Sequence, residues 1–529
     1  MRKGALAAAL PGAVAHSFVF GTGSSAFQYE GAASVDGRGD TIWDDFCRLP
    51  AGRCNGQVAD VAVDQYNLTR FAEDVRLMQE LGTTAYRLSL AWSRLMPSGN
   101  GQVSRQGLQH YQQVLQLLRD GGIEPFVTLF HYDLPSALED RYGGWLNSST
   151  VDSFVEYADL CFREFGSLVR EWATINEPHS IATGGYLYGV AAPGRCSNRS
   201  QCAAGDGLRE PYLAGHNLLL AHGRAVELYR RAYQAKQGGR IAMVISGDHT
   251  EPFSSSATDA AAAQRRQEFQ IGWFADPLFF GDYPESMQRA VGSRLPCFSD
   301  AERSMLKDSW DYFAINHYTS RYARGPPLED CHGSASFKSK GWDDDQCCNV
   351  TPFGPDGSPI GPQAGSDWLL SVPWGLRRLL RWISTRYDAP PIFITENGCD
   401  DVAGQGLDDS FRVEYLASYL AAMKEAMQDD GVDVRGYFVW SLLDNFEWSN
   451  GFHKRFGVYQ VDDEGPDATL RRTAKRSVGW LKEFISRWAQ PRNGSGSARG
   501  AEAGTKAAGV VNTEGEGAAE TMTLLTTVI

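Results

Sequence analysis

LTRFAEDVRLMQELGTTAYRLSLAWSRLMPSGNGQVSRQGLQHYQQVLQLLRDGGIEPFVTLF, residues 68–130, alternates two kinds of periodicity. Leu68, Phe71, Val75, Met78 and Leu81 recur at helical spacing and stop at Gly82. TAYRLSL, beginning at Thr84, is then a nearly continuous run of apolar, aromatic and polar residues at strand length. The helical spacing returns at Tyr111, Val114, Leu115 and Leu118 and stops at Gly121-Gly122, before a second strand-like run, EPFVTLF, from Glu124. Two such strands joined by a helix are the parallel crossover unit, and strands this apolar are buried on both faces.

Working outward, runs of the same kind begin near Phe18 (FVFGTG), Trp172 (WATIN), Arg240 (RIAMVIS), Tyr312 (YFAINHY), Pro391 (PIFITEN) and Val434 (VRGYFVWSL). Eight strands alternating with helices predict the α/β class and a single (β/α)8 TIM barrel. A doubly wound open sheet is the rival. It calls for a glycine-rich phosphate turn where the first helix opens, and Gly21-Thr22-Gly23 alone does not supply one. The strand starts are spaced about 59 residues apart, against roughly 31 in a minimal barrel. The surplus implies long βα loops, which in this fold shape the active-site pocket.

The barrel is expected to occupy residues 16–490. Residues 1–15, with Arg2 and Lys3 before the apolar stretch Ala5–Ala15, read as a secretory signal or an N-terminal tail. From residue 491 onward the chain is rich in Gly and Ala and lacks aromatics, so a disordered, low-complexity tail is expected over 491–529. The Gly-, Pro- and Ser-rich segment 325–365 reads as an elaborated loop. No run approaches the roughly 18 apolar residues of a membrane span.

Fifty basic against sixty-four acidic residues leave a net charge of −14, which argues against nucleic acid or an anionic membrane as partner. A neutral or cationic small molecule fits better. Among the ten cysteines, Cys47 with Cys54, Cys196 with Cys202, and Cys331 with Cys347 or Cys348 lie close enough to staple loops, whereas Cys161 sits in an apolar setting suited to a buried thiol. Local pairing favours an oxidising compartment, so the expected location is secretory, extracellular or vacuolar, with the cytoplasm as the alternative. Sequons at Asn67, Asn147, Asn198, Asn349 and Asn493 permit glycosylation there. The cysteine and histidine spacings match no common zinc pattern.

The C-terminal strand ends should hold the reactive groups, and Gln28, Arg87, His131, Asn176, Glu177, Asn316, Tyr318, Glu396, Trp440 and Glu447 fall there. A lone Glu at such a place is ordinarily a solvated loop residue. Two of them at one barrel mouth, Glu177 from the fourth strand and Glu396 from the seventh, can flank a bond and divide acid and nucleophile roles. Such hydrolysis needs no metal, and no cofactor is expected.

Taken in order, FVFGTGSSAFQYEGA (18–32), YRLSLAWSRLMP (86–97), TLFHYDLP (128–135), TINEP (174–178), NHYTS (316–320), ITENG (394–398), WSLLDNFEW (440–448) and GFHKRFG (451–457) resemble the family-one glycoside hydrolases. These are retaining β-glycosidases that include plant β-glucosidases. The resemblance implies that Glu396 is the nucleophile and Glu177 the acid/base. It also implies that Arg87 keeps Glu396 ionised, that Tyr318 bonds the nucleophile, and that Asn176 meets the sugar 2-hydroxyl with Asn316 in support. Gln28, His131, Glu447, Trp448 and Phe456 match sugar-binding positions, Trp440 the pocket floor, and Trp368, in GSDWL, the aglycone wall.

Two departures stand out: Tyr132 where the family commonly has Trp, and His317 where plant members more often have an aromatic. Both are expected to alter subsite shape. Thioglucosidase members replace the acid/base Glu by Gln; Glu177 is kept, which favours an O-glycosidase. The implied substrate is a β-glucoside or oligosaccharide. β-Galactoside, β-fucoside or β-mannoside specificity and transglycosylation remain as variants, with a non-catalytic carbohydrate binder on the same fold disfavoured because both carboxylates are present. The sequence sets no oligomeric state.

Overall fold

The computed structural model describes residues 18–49, 52–332, 339–462 and 468–489. Residues 1–15, the whole tail 491–529 and the Asn493 sequon lie outside them. Eight strands form a closed parallel barrel in chain order: β1 (Val19–Gly23), β2 (Ala85–Ser89), β3 (Glu124–Phe130), β4 (Glu171–Asn176), β5 (Arg240–Ser246), β6 (Phe313–Asn316), β7 (Ile392–Asn397) and β8 (Val434–Val439). β8 closes the ring on β1, with Val19 opposite Gly436 and Thr22 opposite Val439.

The principal outer helices are α1 (Leu68–Leu81), α2 (Arg105–Asp120), α3 (Ser148–Phe165), α4 (Glu210–Tyr229), α5 (Ala257–Gln267), α6 (Pro373–Arg386), α7 (Ser410–Gln428) and α8 (Arg476–Trp488). Their ends follow from local chemistry. The Asn67 side chain accepts from the backbone N–H groups of Thr69 and Arg70 to start α1, and Gly82, at φ 86°, ends it in the left-handed region that glycine adopts without strain. α8 packs on α1 and α7, closing the outer layer around the same seam that β8 closes inside.

The barrel interior is filled by Ala85, Phe126, Ala173, Ala242, Val244, Tyr312, Ala314, Phe393 and Phe438. Large rings from some strands meet small residues on others, as a close-packed interior requires. Gly21 faces Phe438 and Gly436 faces Phe393 so closely that a β-carbon would fall 2.3 and 2.6 Å from those rings.

The described part of the segment 325–365 is more than a plain loop. It carries helical turns at Leu328–His332 and Trp342–Asp345 and a short strand, Asn349–Thr351, antiparallel to Ser320–Arg324. Disulfides join Cys47 to Cys54, Cys196 to Cys202, and Cys331 to Cys347; Cys161 is a buried free thiol and Cys348 is unpaired. The four described sequon asparagines, Asn67, Asn147, Asn198 and Asn349, are exposed. Among the described residues, no helix is long and apolar enough to cross a membrane.

Candidate active site

A cavity of about 680 Å³ opens at the C-terminal end of the barrel. It is lined by His131, Asn176, Glu177, Asn316, Tyr318, Trp368, Glu396, Trp440, Glu447, Trp448 and Phe456. Gln28 and Arg87 stand one layer behind. Gln28, on the short helix Ala26–Tyr29, donates to Asn445 Oδ1 at 2.9 Å and to Glu447 Oε2 at 3.2 Å. The expected catalytic and sugar-binding residues are therefore gathered at this one place.

The strands carrying the two central glutamates are both irregular just before them. β4 shifts register against β5 between Ala173 and Asn176, and β7 shifts against β6 between Ile394 and Glu396. Such bulges re-aim the side chains that follow. Glu177 itself sits at φ 45°, Tyr132 at φ 75° and Trp448 at φ 49°. These left-handed conformations are costly for non-glycine residues, and all three line the cavity, where strain of this kind tends to concentrate.

The carboxylates are joined by a buried polar bridge. Arg87, 1% exposed, binds a Glu396 oxygen through Nη1 and donates to Asn176 Oδ1 from Nη2 at 2.5 Å. Asn316 Nδ2 donates to the same Asn176 oxygen at 3.1 Å and to Glu177 Oε1 at 2.7 Å. Thr395 fixes that amide by donating to Asn316 Oδ1 at 2.7 Å. Tyr318 donates to Glu396 Oε2 at 2.6 Å. Glu177 Oε2 accepts from Tyr132 at 2.6 Å and from Ser180 at 2.8 Å.

Burial pushes the Glu396 carboxyl up to about 7; Arg87 pulls it down, Glu177 pushes it further up, and the bonds from Tyr318 and Arg87 lower it. The expected action of Arg87 is thus present in sign, but desolvation of a fully enclosed carboxylate outweighs one guanidinium. The Glu447 carboxyl is also driven well upward, by burial first and by Glu396 second. His131 is pushed well below 6.5 by burial and by Arg87. It is neutral, and since Asn176 Nδ2 contacts its Nε2 at 3.2 Å, that bond assigns the ring proton to Nδ1. The ring lies stacked near both Trp440 and Trp448, at 6.0 and 5.8 Å.

Trp368 meets Tyr318 edge-on at 5.9 Å, marking the outward wall. Beyond it, the cavity takes Ser246, Gly247 and Asp248 from the end of β5, Arg266 near the end of α5, and Trp342 and Asp343 from the 325–365 excursion. The sequence reading singled out none of these, although RIAMVIS followed by Gly-Asp marked a strand end like the others. Nor did it find Ser180, three residues past Glu177. The two departures separate: Tyr132 enters the cavity and bonds Glu177, whereas His317 does not line it. His317 is 1% exposed and its Nδ1 lies 2.9 Å from the carbonyl of Gly247, which lines the cavity, so it meets the subsite through that backbone.

The model of the family described as glycosyl hydrolase family 1 matches residues 11–489. The chain belongs to glycosyl hydrolase family 1. It is 46% identical over 485 residues to beta-glucosidase 6 of Oryza sativa subsp. japonica, covering 90% of this chain and 91% of the relative. A mutant of the rice β-glucosidase Os3BGlu6, solved in a covalent complex with Glc from GA4GE, superposes with a TM-score of 0.84 at 46% identity, over 88% of this chain and 97% of that one. A family-one β-glucosidase from the fungus Humicola insolens, solved with glucose, gives a TM-score of 0.84 at 40% identity, over 89% and 98%. This family-one member is accordingly a glycoside hydrolase on a (β/α)8 barrel.

Proposed function

We propose that the protein is a retaining β-glucosidase that removes terminal non-reducing β-D-glucosyl residues, with Glu396 as nucleophile and Glu177 as acid/base. The observation that carries the reading is the pair of glutamates from β4 and β7 at one barrel mouth, tied through Asn316, Asn176 and Arg87. Glu396 attacks the anomeric carbon while Glu177 gives its proton to the glycosidic oxygen, and the bond from that carbon to the aglycone breaks. Glu177, now a carboxylate, takes a proton from water as the water attacks the same carbon and frees Glu396. Two inversions leave the anomeric configuration unchanged.

Arg87 and Tyr318 supply charge and a hydrogen bond to the nucleophile. Asn176 is placed for the sugar 2-hydroxyl, where a hydrogen bond strengthens as the ring gains positive charge. Gln28, His131 and Glu447 offer paired hydrogen-bonding groups to the remaining hydroxyls, and Trp440, Trp448 and Phe456 cover apolar ring faces. Trp368 faces the aglycone. The glucosidase names of the relatives support glucose as the sugar, and the three disulfides with four exposed sequons support a secretory or vacuolar address.

The test is kinetic. Glu396→Ala should abolish turnover of 4-nitrophenyl β-glucoside, and azide should rescue Glu177→Ala as a glycosyl azide of retained configuration. Full activity of Glu396→Ala would overturn the mechanism. A 4-nitrophenyl panel varying the sugar should favour glucose; preference for galactose, fucose or mannose would replace that part of the reading.

A further inference from the structure

Glu177 is held by three donors of two different kinds. Asn316 Nδ2 can only donate, and it occupies Oε1 at 2.7 Å. A proton on Oε1 would face that N–H, so the carboxyl proton belongs on Oε2. Oε2 meets two hydroxyls, Tyr132 Oη at 2.6 Å and Ser180 Oγ at 2.8 Å. A hydroxyl can turn: it donates to a carboxylate and accepts from a carboxylic acid.

We propose that Tyr132 is a positioning residue for the acid/base, fixing Glu177 Oε2 and reversing its hydrogen bond as the proton leaves and returns. This rests on the acid/base reading of Glu177 above. The hydroxyl is set by a rigid surround: Tyr132 lies two residues past the end of β3, its backbone is at φ 75°, and its ring packs on Trp448 at 4.9 Å. Burial and the neighbouring Glu177 charge hold its phenol well above 10, so it keeps its own proton throughout. Ring packing alone would be served by phenylalanine; the hydroxyl is what bonds Glu177.

The consequence is a pH dependence with a definite sign. Glu177 is faced by the charges of Glu396 on β7, Glu447 after β8 and Asp248 after β5, and by the phenols of Tyr132 and Tyr318; Arg87 reaches it only through Asn176 and Asn316. The Tyr132 hydroxyl bonds both forms of the carboxyl, but its bond to the ionised acceptor is the stronger of the two. Removing the hydroxyl should therefore move the alkaline limb of the acid-dependent step upward.

Tyr132→Phe and Tyr132→Trp are compared with the parent by kcat/KM profiles on an alkyl β-glucoside, whose leaving group needs protonation, and on 2,4-dinitrophenyl β-glucoside, which does not. The expected result is an alkaline limb moved upward by about half to one pH unit on the alkyl substrate. A loss of about tenfold or more at neutral pH should accompany it on that substrate, with little change on the dinitrophenyl one. An unmoved limb, or equal loss on both substrates, in whichever variant folds, overturns the proposal. Glu177→Gln measured alongside separates the two readings. If it too spares the dinitrophenyl substrate and loses the alkyl one, the acid assignment stands and only the role of Tyr132 fails; if it loses neither, the acid assignment itself fails.

Discussion

Arg87 binds Glu396 with one terminal nitrogen and Asn176 with the other, so a single cation serves both the nucleophile and the amide beside the acid/base. Burial nevertheless carries the Glu396 carboxyl to about 7. A nucleophile must be ionised, so the acid limb of kcat/KM is expected to fall away below about 7 rather than near the usual 4.5 for a free glutamate. Because the two carboxyls interact, the limb belongs to the pair. Arg87→Met removes the attraction and leaves a buried carboxylate unpaired. It should move the acid limb to higher pH and lower kcat/KM by about 100-fold or more, as loss of a buried charge partner does. A pH profile of the variant checks this; a limb at the parental position would show that Arg87 does not set the charge. At this scale the charged residues were legible because carboxylates and a guanidinium at strand ends have little structural use. The Tyr132 and Ser180 bonds were not legible, since a hydroxyl's partner is decided by where a different strand end brings its carboxylate.

Gly398, two residues past Glu396, shows how β7 is held against the end of β8. A β-carbon there would fall 1.9 Å from the Trp440 carbonyl oxygen. Since backbone cannot turn aside as a side chain can, Gly398→Ala should displace Trp440 from the pocket floor or β7 from its bulge. The expected cost is about 1–3 kcal/mol of stability and about 10- to 100-fold in kcat/KM. Gly479→Ala is the control: it lies in α8 with nothing within 4 Å of the added carbon, and it should be neutral or gain up to about 1 kcal/mol with kcat unchanged. Thermal melts and steady-state kinetics on the two variants separate local clash from general helix effects. The eight barrel strands were readable because each is a short, doubly buried apolar run, and a run of that kind needs no partner to be recognised. The bulges before Glu177 and Glu396 depend on register with the neighbouring strand. The strand Asn349–Thr351 exists only through Ser320–Arg324, so neither feature leaves a local signal.

Across the whole molecule the net charge is −14, and the outer cavity does little to alter its sign: Arg266 and Arg321 line it together with Asp248 and Asp343. Deeper in, Arg87 binds Glu396, with Glu177 and Glu447 beside it and His131 neutral. Substrate approach is therefore governed by the long-range negative field rather than by a local basic patch. An uncharged β-glucoside feels no net force from that field, whereas a glucoside with a carboxylate on its aglycone is repelled. Raising salt from about 0.01 to 0.1 M shortens the screening length from about 30 to about 10 Å. Over that range kcat/KM for the neutral substrate should stay nearly flat, while that for the anionic one should rise by about two- to tenfold, mainly through KM. Equal salt responses for the two would mean that Arg266 or Arg321 engages the anion directly, cancelling the repulsion that the composition predicts.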